Sequence, residues 1–206
     1  MGKLVVIGRT GPYKIGLTGN IACGKSTIGA LLVARGAEYI DADHVVHELM
    51  RSGTPETERI VARFGEGVRA ADGGVDRKAL GALVWGDPAA LRDLEQIMHP
   101  GVRAEIRRRV AASTAPVVVV DAIKLIESGL YREMDALWVV VCPREEQVRR
   151  LVETRGMTRE HAAQRIDVQP PQEEKARLAD LVIDNGRSRA EAEAAVERAW
   201  RAIPRS

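Results

Sequence analysis

Apolar positions in this chain alternate between short strand-like runs and helical stripes. Ile15-Gly16-Leu17 reads as the end of a short buried strand. Residues 26–35 then put Ile28, Leu31 and Leu32 on one helical face, and Gly36 is a stop signal. Residues 37–41 predict a second short strand. Pro116-Val-Val-Val-Val-Asp121 predicts a third, and its four consecutive valines imply burial on both faces, hence a central parallel strand. Ala136–Cys142 and Leu181–Asn185 predict a fourth and a fifth. Ser188-Arg-Ala-Glu191 is a capping box that opens a last helix with Ala195, Val196 and Ala199 inward.

Between the second and third strands the chain is mostly helical. Thr54-Pro55 opens a helix that Gly65 ends, and Asp76 opens another that ends near Gly86. Asp87-Pro88 opens a third, ending at His99-Pro100, and a fourth runs from about residue 101 to 113. This exceeds one crossover, so residues 44–113 are expected to form an inserted substrate-binding subdomain. Residues 144–178 are charged and helical, broken by Gln169-Pro170-Pro171, and 149–175 are expected to fold as a lid. Residues 14–43, 114–148 and 176–203 are left as the core of a single domain. Lys3–Ile7 reads as an edge strand and Gly8–Pro12 as a turn, an extension with no chemistry assigned.

Composition narrows the function. The 206 residues carry 31 basic and 29 acidic side chains, a balance unlike the basic excess of a nucleic-acid binder. Aromatic residues make up 3%, too few for base-stacking platforms. No signal peptide or membrane-spanning run is apparent. Two cysteines, Cys23 and Cys142, make no disulfide framework, which fits a reducing cytoplasm.

The candidate chemistry begins at Gly19-Asn20-Ile21-Ala22-Cys23-Gly24-Lys25-Ser26, followed by Thr27. It fits the phosphate-loop pattern G-x-x-x-x-G-K-[ST] and lies between a strand and a helix N-terminus, as its mechanism requires. Backbone N–H groups of residues 21–26 can wrap a phosphate chain there, with the helix dipole adding positive charge. Lys25 would reach the β- and γ-phosphates, and Ser26 would hold Mg²⁺. Asp41 and Asp43 follow the second strand, where α/β sheets bind ligands; each is a candidate base, metal-shell ligand or helix cap. Asp121, after the valine run, resembles a Mg²⁺-orienting acid. Lys124 and Glu127 fall near the mouth of the presumed site. The pair His44 and His47 reads as a polar helix face. Arg149, Arg150, Arg155, Arg159 and Arg165 are candidates for clamping a transferring phosphoryl group, with a salt-bridged surface as the alternative for most of them.

These landmarks together resemble the dephospho-CoA kinase family over residues 14–200. The resemblance rests on Ile15-Gly-Leu-Thr-Gly with Gly24-Lys-Ser-Thr, Ile40-Asp-Ala-Asp43, Gly53-Thr-Pro and Arg63-Phe-Gly65. Met98-His-Pro100, Thr158-Arg-Glu-His161, Glu173-Glu-Lys175 and Ala179-Asp-Leu-Val-Ile-Asp-Asn185 complete it. It implies an α/β three-layer phosphate-loop kinase fold: a five-stranded parallel sheet, a helical insertion that binds the substrate and a helical lid. It also implies transfer of the ATP γ-phosphate to the ribose 3′-hydroxyl of dephospho-CoA, with Mg²⁺, by a cytoplasmic monomer or weak homo-oligomer. Asp43 matches the family's base, His99 its substrate-side His-Pro with Arg103 nearby, and Asn185 the close of its adenine pocket. Two places depart from the family. Asp121-Ala-Ile-Lys-Leu-Ile-Glu127 has Ile123 for a proline and Lys124 for a leucine. Thr154-Arg155-Gly156 moves the lid arginine by one residue, which leaves Arg150 as its rival. A kinase of another small hydroxyl compound, and a non-catalytic nucleotide-binding regulator, are the alternatives.

Overall fold

The computed structural model describes residues 11–204. The expected strand at Lys3–Ile7 lies outside them. Five strands follow one another as β1 (Tyr13–Thr18), β2 (Glu38–Asp41), β3 (Val117–Asp121), β4 (Ala136–Val141) and β5 (Leu181–Asp184), in the spatial order β2-β3-β1-β4-β5. The β1–β3, β1–β4 and β4–β5 ladders are parallel, in a register that sets Ile15 against Val119 and Ala136. After β1 the chain crosses to β2 at one edge, and after β4 to β5 at the other. The carboxyl end of β1 therefore lies where the strand order reverses, the usual place for a ligand in such sheets.

Alternation along the strands divides the core between two faces. Ile15, Leu17, Val117, Val119, Trp138, Val140 and Ile183 pack against Ile28 and Leu32 of α1 (Lys25–Val33) and against Ala192, Val196 and Trp200 of the C-terminal helix. The inward stripe of that last helix therefore includes Trp200, which the small-residue pattern of the sequence did not suggest. On the other face, Gly16 lets Leu125 and Met134 approach so closely that a Cβ would lie 2.7 Å from Leu125 and 2.8 Å from Met134.

The chain divides into two compact units: residues up to 40 with those from 110 onward, and residues 41–109. The second unit contains α2 (Ala42–Leu49), α3 (Pro55–Phe64), α4 (Arg77–Val84) and most of α5 (Pro88–Ala112). Thr54 and Asp76 cap α3 and α4 by accepting bonds from backbone N–H groups of their first turns. The helices expected at 88–99 and 101–113 are one continuous helix, α5, with Pro100 inside it. Proline removes one helical hydrogen bond and crowds the preceding turn. Packing overrides that local signal: Met98, Val102 and Ile106 are all buried. Gly101 makes room for the buried Glu56 side chain, whose carboxylate a Cβ there would strike.

The first unit continues after β4 with α6 (Arg144–Arg155), α7 (Arg159–Asp167), α8 (Gln172–Ala176) and, after β5, α9 (Arg189–Ala202). Ser188 and Glu191 form the expected capping box on α9. No helix among the described residues is long and apolar enough to cross a membrane.

Leu32 is fully buried between α1, α9 and the sheet. Leu32→Ala is expected to lower the free energy of unfolding by about 2–5 kcal/mol. Urea denaturation followed by circular dichroism measures the shift in midpoint.

Candidate active site

β1 ends in Thr18, and Gly19 to Gly24 turn the chain into α1. The turn is closed by the Cys23 N–H, which donates to the Asn20 carbonyl at 3.3 Å. Gly24 has φ 90°, a left-handed conformation that suits glycine. A side chain at this position would also strike the Asn185 amide. Lys25 and Ser26 open the helix, so their N–H groups precede any intrahelical acceptor. Together with the helix dipole they form an anion-binding end.

The loop is tied from outside by side chains of its own unit. Asn20 Nδ2 donates to the Pro170 carbonyl at 2.9 Å. The Ile21 peptide is held on both sides: its N–H donates to Gln169 Oε1 at 2.8 Å, and its carbonyl accepts from Gln147 Nε2 at 2.9 Å. Arg150 donates to the Ala22 carbonyl at 3.2 Å and to the Asn185 carbonyl at 2.6 Å. Asn185 Nδ2 donates to the Cys23 carbonyl at 2.9 Å. The Ile21 and Ala22 side chains pack on Val148, Leu151, Ala162 and Ile166 of α6 and α7. Of the six N–H groups expected to wrap a phosphate chain, those of Ile21 and Cys23 are therefore engaged elsewhere. The binding arc begins closer to the helix.

The charged side chains are distributed unevenly. Lys25 is half-buried, and its ammonium lies 3.5 Å from the Gly19 carbonyl. Ser26 and Thr27 are exposed. Glu146 anchors Arg150 at 2.8 Å, and hydrogen bonds from Arg149 and then Arg150 hold its carboxyl down at about 2. Arg155 is exposed at the C-terminal end of α6. Of the rivals Arg150 and Arg155, Arg150 is the one bonded to the phosphate loop. Asp121 ends β3 and accepts a short hydrogen bond from the Tyr39 hydroxyl. Lys124 is exposed. Glu127 is paired with buried Lys175 at 3.2 Å. Burial raises the Cys23 thiol, opposed by Lys25, and pushes Cys142 up to about 12.

In the second unit, Asp41 caps α2 by accepting from the His44 N–H at 3.1 Å, and Asp43 is exposed in the first turn. His44 faces Glu48 one turn along at 3.1 Å, as a polar helix face requires. His99 and Arg103 are half-buried one turn apart on α5.

The sequence reading missed Gln147, Gln169, Tyr39 and the partners of Lys175. Glutamine carries no patterned signal. Lys175 could have been suspected, because lysine is scarce in this arginine-rich chain.

A phosphate loop at the strand reversal, with arginine and asparagine bridging its outer carbonyls, defines a nucleotide-binding protein of the phosphate-loop class. A solved structure from Thermus thermophilus is 32% identical, with a TM-score of 0.82 over 94% of this chain and 98% of that one. A dephospho-CoA kinase structure from Campylobacter jejuni is 28% identical, with a TM-score of 0.68 over 91% of this chain and 95% of that one. The curated dephospho-CoA kinase of Symbiobacterium thermophilum is 50% identical over 91% of this chain and 80% of its own length. The dephospho-CoA kinase family profile matches residues 13–191, and the chain belongs to that family.

Two predictions concern the site's electrostatics. A carboxyl held low in the folded state stabilises the fold above its unfolded value and loses that contribution as pH falls through its folded one. Glu146 therefore contributes fully above about pH 4.5 and loses its contribution on approach to pH 2. Glu146→Gln should flatten the acid limb of a stability–pH curve over that range. Cys23 and Cys142 should resist iodoacetamide at pH 8 and react only on denaturation, because both are buried and protonated. Mass spectrometry of alkylated protein, native and denatured, reads the difference.

Proposed function

We propose that this chain transfers the γ-phosphate of ATP to the ribose 3′-hydroxyl of dephospho-CoA, giving coenzyme A and ADP. The observation that carries the reading is the tethered phosphate loop of Gly19 to Ser26 in a chain whose family match spans residues 13–191. Residues 24–27 bind the phosphates, and Lys25 neutralises charge on the β- and γ-phosphate oxygens. Arg150 is the lid arginine of choice, since it is already bonded to the Ala22 carbonyl. Asn185, one residue past β5 and bonded to the loop, is assigned to the adenine side. Asp43 receives or orients the acceptor hydroxyl; a loose phosphoryl-transfer transition state asks little base strength of it. His99 and Arg103 are assigned to the acceptor, and the exposed Lys124 to its anionic groups.

Mg²⁺ fits the donors present. The Ser26 hydroxyl and the Asp121 carboxylate are hard oxygen donors of the kind it takes. Among the described residues there is no cluster of three or more His, Cys, Asp or Glu able to hold a metal. The ion is therefore assigned to arrive with the nucleotide and to neutralise its phosphates. The near-zero net charge supports a small-molecule acceptor over nucleic acid, and the two free cysteines, which form no disulfide, fit a cytoplasmic enzyme. A monomer or weak homo-oligomer is the assembly assigned to it.

The test is ADP release from ATP and Mg²⁺ with dephospho-CoA, beside adenosine, nucleotides and other small hydroxyl acceptors. Turnover is expected only with dephospho-CoA. Lys25→Ala and Asp43→Asn should each lower kcat/KM at least about a hundredfold, or 2.7 kcal/mol of barrier. Arg150→Ala should cost far more than Arg155→Ala. Tight ATP binding without turnover on any acceptor would overturn the assignment in favour of a nucleotide-binding regulator.

A further inference from the structure

Lys175 is 5% exposed, an unusual place for an ammonium group. It lies on the short helix α8, where the lid segment rejoins the core. Its Nζ donates to the Ile123 carbonyl at 2.8 Å and pairs with Glu127 Oε1 at 3.2 Å. The same Ile123 carbonyl accepts from the Thr18 hydroxyl at 3.2 Å. Thr18 is fully buried and immediately precedes Gly19. One carbonyl thus joins three pieces of chain: the end of β1 that launches the phosphate loop, the segment after Asp121, and the return leg of the lid.

That segment, residues 122–128, has little regular structure of its own. It closes a turn at its far end, where the Ser128 N–H donates to the Lys124 carbonyl at 2.9 Å. Leu125 anchors its middle in the sheet, 0% exposed. Near Asp121 it is fixed at two points: the Ala122 N–H donates to the Leu17 carbonyl at 3.1 Å, and the Ile123 carbonyl accepts from Lys175 and Thr18. Removing one partner of a buried ion pair costs stability whatever its role, so a loss of stability alone does not reveal what such a lysine does. This one is directed at the segment that carries Lys124 and follows Asp121.

We propose that Lys175 is a positioning residue for the acceptor side of the reaction. It holds residues 122–128 in register with the phosphate loop, so that the acceptor meets an ordered segment while nucleotide binding is unaffected. The proposal rests on the assignment of dephospho-CoA as acceptor.

The experiment compares wild type, Lys175→Met and Lys175→Arg. Three readouts are taken: acceptor KM and kcat, the Kd of ATP by calorimetry, and backbone hydrogen exchange of residues 122–128. Lys175→Met is expected to raise the acceptor KM at least about tenfold and to speed exchange in 122–128, with the ATP Kd within about twofold of wild type. Lys175→Arg, which keeps a charged donor, should restore most of both. A purely structural lysine would lower thermal stability in Lys175→Met and leave acceptor KM and local exchange unchanged, which would overturn the proposal. If wild type itself ignores dephospho-CoA, the functional assignment fails, and exchange in 122–128 still decides whether Lys175 orders the segment. Should Lys175→Met fail to fold, Glu127→Gln takes its place. It removes the half-exposed partner and should speed exchange in 122–128 alone; unchanged exchange there would overturn the proposal.

Discussion

A phosphate loop works only if its peptide groups are turned the right way before the ligand arrives, because turning them afterwards costs binding energy. In this protein the constraint is met from outside the loop. The carbonyls of Ile21, Ala22 and Cys23 each accept a bond from a side chain, supplied by Gln147, Arg150 and Asn185. A carbonyl held outward turns the N–H of the next residue the other way, so these bonds set the amides of Ala22 and Gly24, ahead of the free N–H groups that open α1. Much of the first unit serves this arrangement. β4 and β5 end beside the loop, α6 supplies Gln147 and Arg150, and the segment after α7 supplies Gln169.

The same constraint accounts for the residues inside the loop. Ala22 is the one non-glycine residue with positive φ among the described residues, at 58°. A left-handed alanine costs about 1–2 kcal/mol. Packing offsets that cost, because Ala22 and Ile21 sit against the small core of α6 and α7. An all-glycine loop would avoid the strain and lose this contact with the helices that carry the arginines. Gly24 has no such freedom, since Asn185 occupies the space a Cβ would need.

Much of this was legible in the sequence, for physical reasons. The valine run of β3, the phosphate-loop spacing and the caps at Thr54, Asp76 and Ser188 are local signals, and they mark their elements. The break expected at Pro100 was a local signal too, but burial of Met98, Val102 and Ile106 along one face carried the helix through it. Tethers by Gln147 and Gln169 join residues more than a hundred positions apart and have no periodicity to betray them. The partner of Glu127 illustrates the same limit. Lys124 is its neighbour in sequence, yet Lys175 reaches it through the fold.

The most direct test of the tethered loop is the ATP affinity of Gln147→Leu, measured by titration calorimetry with Mg²⁺ present. Gln147 is 3% exposed and donates to the loop from outside, at the Ile21 carbonyl. If outward tethers pre-organise the loop, the Kd for ATP should rise about tenfold while the fold stays intact by circular dichroism. An unchanged Kd in the folded variant would contradict the account, and would mean that the loop holds its shape by its own backbone alone.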